Sequence, residues 1–147
     1  MVVTIQGTVL AVWGNDGVVV RRSEDGGKTW GSAISVSKKG YHGGGTTVDT
    51  TSGDVIIFVE DRQPPAPLKI FRSQDDGKSW QIQKTKIEKD HNGNIPSMHM
   101  NEHGITLRHG RYRGRLIRPS RYYGPKGGDA EWPLQYTNAI YSDDGGR

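Results

Sequence analysis

Along the whole chain, apolar and polar residues alternate in short runs broken by turn residues. A period of two over four to eight residues predicts half-buried strands. The first set reads Val2–Ile5, Thr8–Trp13, Gly17–Arg22 and Ser32–Ser37. The second reads Thr46–Thr50, Asp54–Asp61, Leu68–Arg72 and Gln81–Ile87, and the third Gly104–Arg108, Gly114–Tyr123 and Thr137–Tyr141. No helical period interrupts them. The pattern predicts an all-β fold of four-stranded antiparallel units, approximately residues 2–40, 41–90 and 91–147, within one domain.

Each third strand runs into the same octapeptide. It is first Ser23-Glu24-Asp25-Gly26-Gly27-Lys28-Thr29-Trp30, then Ser73-Gln74-Asp75-Asp76-Gly77-Lys78-Ser79-Trp80, and its first six positions return as Ser142-Asp143-Asp144-Gly145-Gly146-Arg147. The pattern Ser-x-Asp-x-Gly-x-Ser/Thr-Trp suits a tight corner between strands three and four. The Asp accepts backbone N–H bonds a few residues on, the Gly takes a positive φ, and the Trp folds back as an apolar plug. Ser23, Asp25, Gly27 and Trp30, Ser73, Asp75, Gly77 and Trp80, and Ser142, Asp144 and Gly146 are therefore structural. A unit that recurs this way signals a stacked or radial array.

Composition sharpens this picture. Only 32% of the 147 residues are hydrophobic, and 21 glycines with 7 prolines fit many turns and short strands. No run approaches the ~20 apolar residues of a membrane span. No charged-then-apolar leader follows Met1, so no signal peptide is read in these residues. The compartment stays open, with a secreted or periplasmic parent protein compatible. There are no cysteines, so disulfides and thiolate metal sites are excluded. No metal or other cofactor is called for. The net charge is +4, yet Arg108, Arg111, Arg113, Arg115, Arg118 and Arg121 crowd one segment. No nucleic-acid-binding motif accompanies them. A carboxylate-bearing sugar also calls for arginine, whose fork pairs a carboxylate at two points.

Strand direction sorts the polar residues. The octapeptides lie at one end of the units, and the connectors between strands two and three, and between units, lie at the other. The second end collects His42, beside Gly43-Gly44-Gly45, and the segment Pro96–Gly104 with His99, Glu102 and His103. The spacing there departs from that of a zinc helix, so acid–base or hydroxyl contacts are expected of these three. Asp61 and Arg62 close one strand at this end, and Arg118, Arg121, Tyr122 and Tyr123 occupy another. The expected catalytic set is His42, His99, Glu102, His103 and Tyr122. The expected substrate-binding set is Asp61, Arg62, Arg118, Arg121 and Tyr123.

The octapeptide resembles the Asp-box, or BNR repeat, of sialidases (neuraminidases) and related β-propellers. His103-Gly104-Ile105-Thr106-Leu107 with Gly114-Arg115-Leu116-Ile117-Arg118-Pro119 is similar to an inner strand pair of that family, and Glu60-Asp61-Arg62 to a position whose arginine holds the substrate carboxylate. The resemblance implies about two and a half blades of a six- or seven-bladed propeller. It also implies a parent exo-glycoside hydrolase acting on sialic- or uronic-acid glycans. Family sialidases use a Tyr nucleophile assisted by Glu, an Asp acid/base and three arginines, an exception among glycosidases. The opening Arg-Ile-Pro motif is absent, and the acid-bearing loop is matched only by Gly14-Asn15-Asp16-Gly17. The alternatives are a propeller polysaccharide lyase using His and Tyr at a uronate, and a non-catalytic glycan-binding or assembly module. On this reading the segment alone lacks a complete site, the partner is an acidic glycan, and copies of the chain are candidates to complete the ring as a homo-oligomer.

Overall fold

A computed structural model describes residues 1–42, 44–62, 66–98, 102–124 and 134–147. Within them, twelve strands form three antiparallel sheets and there is no helix. The first sheet is β1 (Val2–Val3), β2 (Val9–Trp13), β3 (Val18–Ser23) and β4 (Ile34–Ser37), in that order. The second holds β5 (Tyr41–His42), β6 (Thr47–Val48), β7 (Val55–Glu60), β8 (Leu68–Ser73) and β9 (Gln81–Gln83). The third is β10 (Ile105–Thr106), β11 (Leu116–Tyr122) and β12 (Tyr136–Ser142).

The second sheet departs from expectation at its inner strand. The sequence pattern places His42 in a connector, yet Tyr41 and His42 pair with Glu60 and Val59. Thr47 and Val48 pair with Ile56 and Val55 on the same side of β7. Between these two pairings Ile57 and Phe58 have no ladder partner on that side, and Gly44, Gly45 and Thr46 lie outside the strands. This is an oversized bulge, which bends a strand and re-aims its neighbours.

The sheets pack face to face, and the parity of β7 explains how. Ile57 and Val59 join Val18, Val20 and Val36 of the first sheet in one core. Ile56 and Phe58, with Ile70, join Met98 and Leu116 on the third-sheet side. All six residues of β7 are consequently buried. By contrast β12 alternates half-buried with exposed, because only one of its faces is covered. The inner strands also touch. Thr106 Oγ1 accepts from Thr50 N at 2.9 Å and donates to Val48 O at 3.0 Å. A Cβ at Gly104 would lie 2.4 Å from Thr47 Oγ1, so glycine permits the close approach of β10 and β6.

The three octapeptides fold alike. Gly27, Gly77 and Gly146 donate N–H to the hydroxyls of Ser23, Ser73 and Ser142 at 2.8, 2.8 and 2.7 Å. Those hydroxyls donate to Asp25, Asp75 and Asp144. Asp25 and Asp75 accept again from the backbone N–H of Thr29 and Ser79. The hydroxyl of Thr29, then its N–H, then the hydroxyl of Ser23 hold the Asp25 carboxyl down at about 2, from an ordinary 3.8. Burial pushes Asp75 up, but the Ser79 and Ser73 bonds outweigh it and its pKa is also lowered.

The two indoles act differently: Trp80 reaches a neighbouring sheet, and Trp30 stays with its own corner. Trp80 packs on the first-sheet core, whereas Trp30 is 36% exposed, its N–H bonded to Gly27 O at 3.1 Å. Trp80→Ala is expected to cost about 3 kcal/mol in urea unfolding, and Trp30→Ala less than half of that. Equal losses would mean that the indoles stabilise only their own corners. A second expectation concerns acid. Groups with depressed folded pKa values stabilise the fold above the ordinary value and lose that effect as pH falls through the folded one. Stability should therefore drop between about pH 4 and pH 2, and Asp25→Asn should flatten that part of the profile. A thermal-unfolding series against pH reads it out.

Candidate functional site at the strand-end rim

β7, β2 and β11 all end at the rim opposite the octapeptides, and β5 and β12 begin there. His42 N donates to Gly14 O at 3.0 Å and Gly17 N to Gly40 O at 3.0 Å, locking the first two sheets together at this end. Ser97 and Arg121 exchange backbone bonds of 2.7 and 2.9 Å, which ties the 88–98 connector to β11. The rim therefore carries Glu60, Asp61, Arg62, Ser97, Arg121, Tyr122 and Tyr136 along neighbouring strand ends.

The sequence candidates fare differently. His42 lies in β5, half-buried and bonded through its backbone, not on a free glycine loop. Asp61 is ion-paired with Lys69. Arg62, Glu102 and His103 are exposed. His99 lies outside the described residues. Arg121 is half-buried, its guanidinium 4.4 Å from the centre of the Tyr123 ring, and donates to Gln135. The Tyr122 ring lies 5.0 Å from that of Tyr136, tilted by 38°. Arg121 and Tyr122 point to opposite faces of β11, as alternation requires.

Arg118 is 3% exposed and turned toward the second sheet. It donates to Gly45 O, in the bulge, and stands 4.6 Å from the Phe58 ring centre. Burial pulls its pKa down to about 10, against the opposing pull of Glu60, so the cation persists at neutral pH. Glu60 is fully buried and accepts from Ser97 Oγ at 2.5 Å and Met98 N at 3.2 Å. Opposite charges thus lie inside the boundary between the second and third sheets, just below the rim.

A second polar group joins three parts of the chain. Tyr136 OH donates to Asp90, Asn94 Nδ2 donates to Tyr136 OH at 2.9 Å, and Asn138 Nδ2 donates to Asp90 Oδ2 at 3.2 Å. Ser120 OH in turn donates to Asn138. Burial pushes the Asp90 carboxyl up, but the Tyr136 hydroxyl and the N–H groups of Asn94 and Asn92 outweigh it, leaving its pKa below the usual range. Sequence reasoning missed Glu60, Asp90, Tyr136 and Asn138 as members of this region. Glu60 carried a signal, a carboxylate closing the apolar run Val55–Val59. Asp90 and Tyr136 carried none, being 46 positions apart.

No family model matches this sequence, and no curated protein matches it. Solved structures do. A Hadza microbial sialidase, Hz136, superposes with a TM-score of 0.70 at 19% identity, over 99% of this chain and 34% of that one. The fold is sialidase-like. A protein of unknown function from Dyadobacter fermentans DSM 18053 superposes with a TM-score of 0.61 at 19% identity, over 99% of this chain and 46% of that one. The chain spans from about a third to under half the length of these structures. At such identities the likeness concerns architecture, a partial propeller of antiparallel sheets.

The Glu60–Arg118 pair yields a stability test. Glu60→Ala removes the acceptor of Ser97 and Met98 and leaves a buried cation without its nearby negative charge. A loss of about 3 kcal/mol is expected in urea unfolding. Glu60→Gln keeps an acceptor oxygen and should lose less. Equal, small losses for both would show that the carboxylate is incidental to the boundary.

Proposed function

We propose that this chain is part of a sialidase-like, carbohydrate-active protein whose strand-end rim receives an acidic sugar. The observation that carries the reading is Arg62 and Arg121 at neighbouring strand ends of that rim, on a fold shared with a sialidase. A guanidinium offers a carboxylate two parallel donors, which a sialic or uronic acid would use. Loops and strand ends on one side of a rigid scaffold are where binding groups concentrate. In this reading Arg121, steadied over Tyr123, and Arg62 hold the carboxylate. Tyr122, Glu102 and His103 line the approach, and Arg118 acts from beneath by fixing the bulge.

Exo-hydrolysis of a terminal acidic sugar is the parent activity proposed, the remaining catalytic groups coming from further blades or from other copies of the chain. A uronate lyase remains the second enzymatic reading, in which the exposed His103, two residues before β10, would serve as the base. A fluorogenic sialoside assay, run beside ultraviolet detection of unsaturated uronates, separates the two activities in the parent protein. Binding is tested on this chain with a glycan array. Acidic glycans should be retained over neutral ones, and Arg121→Ala should weaken that binding about tenfold, the loss of one charge-assisted pair. No acidic preference, together with silence in both assays, would end the reading.

A further inference from the structure

The turns β1–β2, β6–β7 and β10–β11 all lie at the octapeptide end and close alike. In the first, Thr4 N donates to Thr8 O at 2.9 Å and Gly7 N to Thr4 O at 3.0 Å. In the second, Asp49 N donates to Asp54 O at 2.9 Å and Gly53 N to Asp49 O at 2.8 Å. In the third, Leu107 N donates to Arg115 O at 2.8 Å and Gly114 N to Leu107 O at 2.9 Å. The turns also stand in a row. A Cβ on Gly53 would meet Ile5 of the first turn at 2.7 Å, and one on Gly114 would meet Thr51 of the second at 3.7 Å.

What they enclose differs. Ile5-Gln6-Gly7 and Thr50-Thr51-Ser52-Gly53 are short and uncharged, whereas Arg108-His109-Gly110-Arg111-Tyr112-Arg113-Gly114 is long and cationic. Reversing a strand pair needs no such length. Arg108, His109, Arg111, Tyr112 and Arg113 are all exposed, yet the turn is held in shape. Arg113 N donates to Gly110 O at 3.2 Å and Arg115 N to Tyr112 O at 3.0 Å. The Arg115 guanidinium, bonded twice to Asp143, lies 3.9 Å from the Tyr112 ring centre, and that of Arg111 lies 5.4 Å from it. Among the described residues, no carboxylate pairs with Arg108, Arg111 or Arg113.

We infer that the 108–114 turn is a docking surface for a linear anionic polysaccharide, whose carboxylate or sulfate groups bind the guanidinium groups of Arg108, Arg111 and Arg113. Three unpaired forks on one held turn suit oxyanions repeated along a polymer. A single-stranded nucleic acid would stack a base on the aromatic ring, but two guanidinium groups already lie over Tyr112. A lipid surface would take an apolar face, and Tyr112 is the turn's one such side chain. The turn projects along the strands, not from a lateral sheet edge. From Leu116 to Tyr122 β11 spans about 20 Å at ~3.3 Å per residue, so this surface is distinct from the rim. The choice of a glycan among polyanions rests on the acidic-sugar reading of the rim, whereas the cationic turn does not.

The test measures affinity of the full chain for labelled heparin, which is sulfated, and for polygalacturonate, which carries only carboxylates. Single- and double-stranded DNA and phosphatidylserine vesicles are run beside them. Saturable binding to at least one polysaccharide is expected, tighter than to DNA or vesicles, and the polymer preferred names the oxyanion. That affinity should fall steeply between about 50 and about 200 mM salt. The double variant Arg111→Ser with Arg113→Ser should bind about tenfold more weakly, with a salt slope shallower by about two. Both positions are exposed, so an unchanged melting temperature is expected of it. Arg21→Ser, an exposed arginine on β3, and Arg121→Ala at the rim should leave polymer binding unchanged. No polysaccharide binding, equal binding by the double variant, or tighter binding to DNA or vesicles overturns the inference. So does loss with Arg121→Ala, because the polymer would then sit at the rim. Polymer binding needs no turnover, so a binding turn beside an inactive rim would end the rim reading alone.

Discussion

Arg22 and Arg72 perform the same act one sheet apart, and the rest of the architecture depends on it. Each sits immediately before the serine that opens its own corner, points off the face of its sheet, and donates into the corner of the next. Arg22 reaches the Asp76 carboxylate as well at 2.9 Å, and Arg72 is held by Asp54 at 2.7 Å. Backbone carbonyls in a tight turn lack strand partners and need donors. An arginine on a flat neighbouring face supplies several from one side chain. The corner is thus folded by its own serine and aspartate and then positioned by the preceding sheet. In the second corner Asp76 takes φ 64, where the other two corners have Gly26 and Gly145. Its carboxylate, bonded to Thr8 and Arg22, accounts for a non-glycine residue in that conformation.

From that docking follows the placement of the rim. Corners fixed at one end leave the opposite strand ends side by side, and the β5–β6 bulge turns Gly45 O toward Arg118. The rim then rests on a buried layer of mixed character. Glu60 and Arg118 are interior charges bonded to Ser97, Met98 and the bulge, while Phe58, Met98 and Leu116 complete the layer with apolar contact. Such groups are costly to bury and gain little net stability over a hydrophobic replacement. What they supply here is position, since Glu60 draws the 97–98 connector against β7 and so brings it beneath Arg121.

The same logic separates arginines that alternation alone placed in one crowded segment. Arg115 makes two 2.7 Å bonds to Asp143 and stacks 3.9 Å from the Tyr112 ring centre, at the corner end of the third sheet. Arg118 is interior, and Arg121 is at the rim. Three positions apart each time, on a strand where parity alternates, they serve a surface turn, a sheet boundary and a candidate ligand edge. Composition registered them only as one basic cluster.

Local chemistry was legible in the sequence. Alternation located the sheets to within a few residues, and the repeated octapeptide fixed the corners, because both signals are written in neighbours and need no distant partner. The end of the sheets on which Arg62, Arg121 and Tyr122 fall also followed from strand direction alone. Tertiary structure decided what each side chain faces. Tyr41 and His42 became strand because β7 offered them an edge, and Asp61 took Lys69 as its partner. Glu60 and Arg118 went inside because two sheets closed over them. Asp90 met Tyr136 across 46 positions. Periodicity specifies which side of a sheet a residue takes. Only the stacking of one sheet on another determines whether that side holds solvent, a core or a charge.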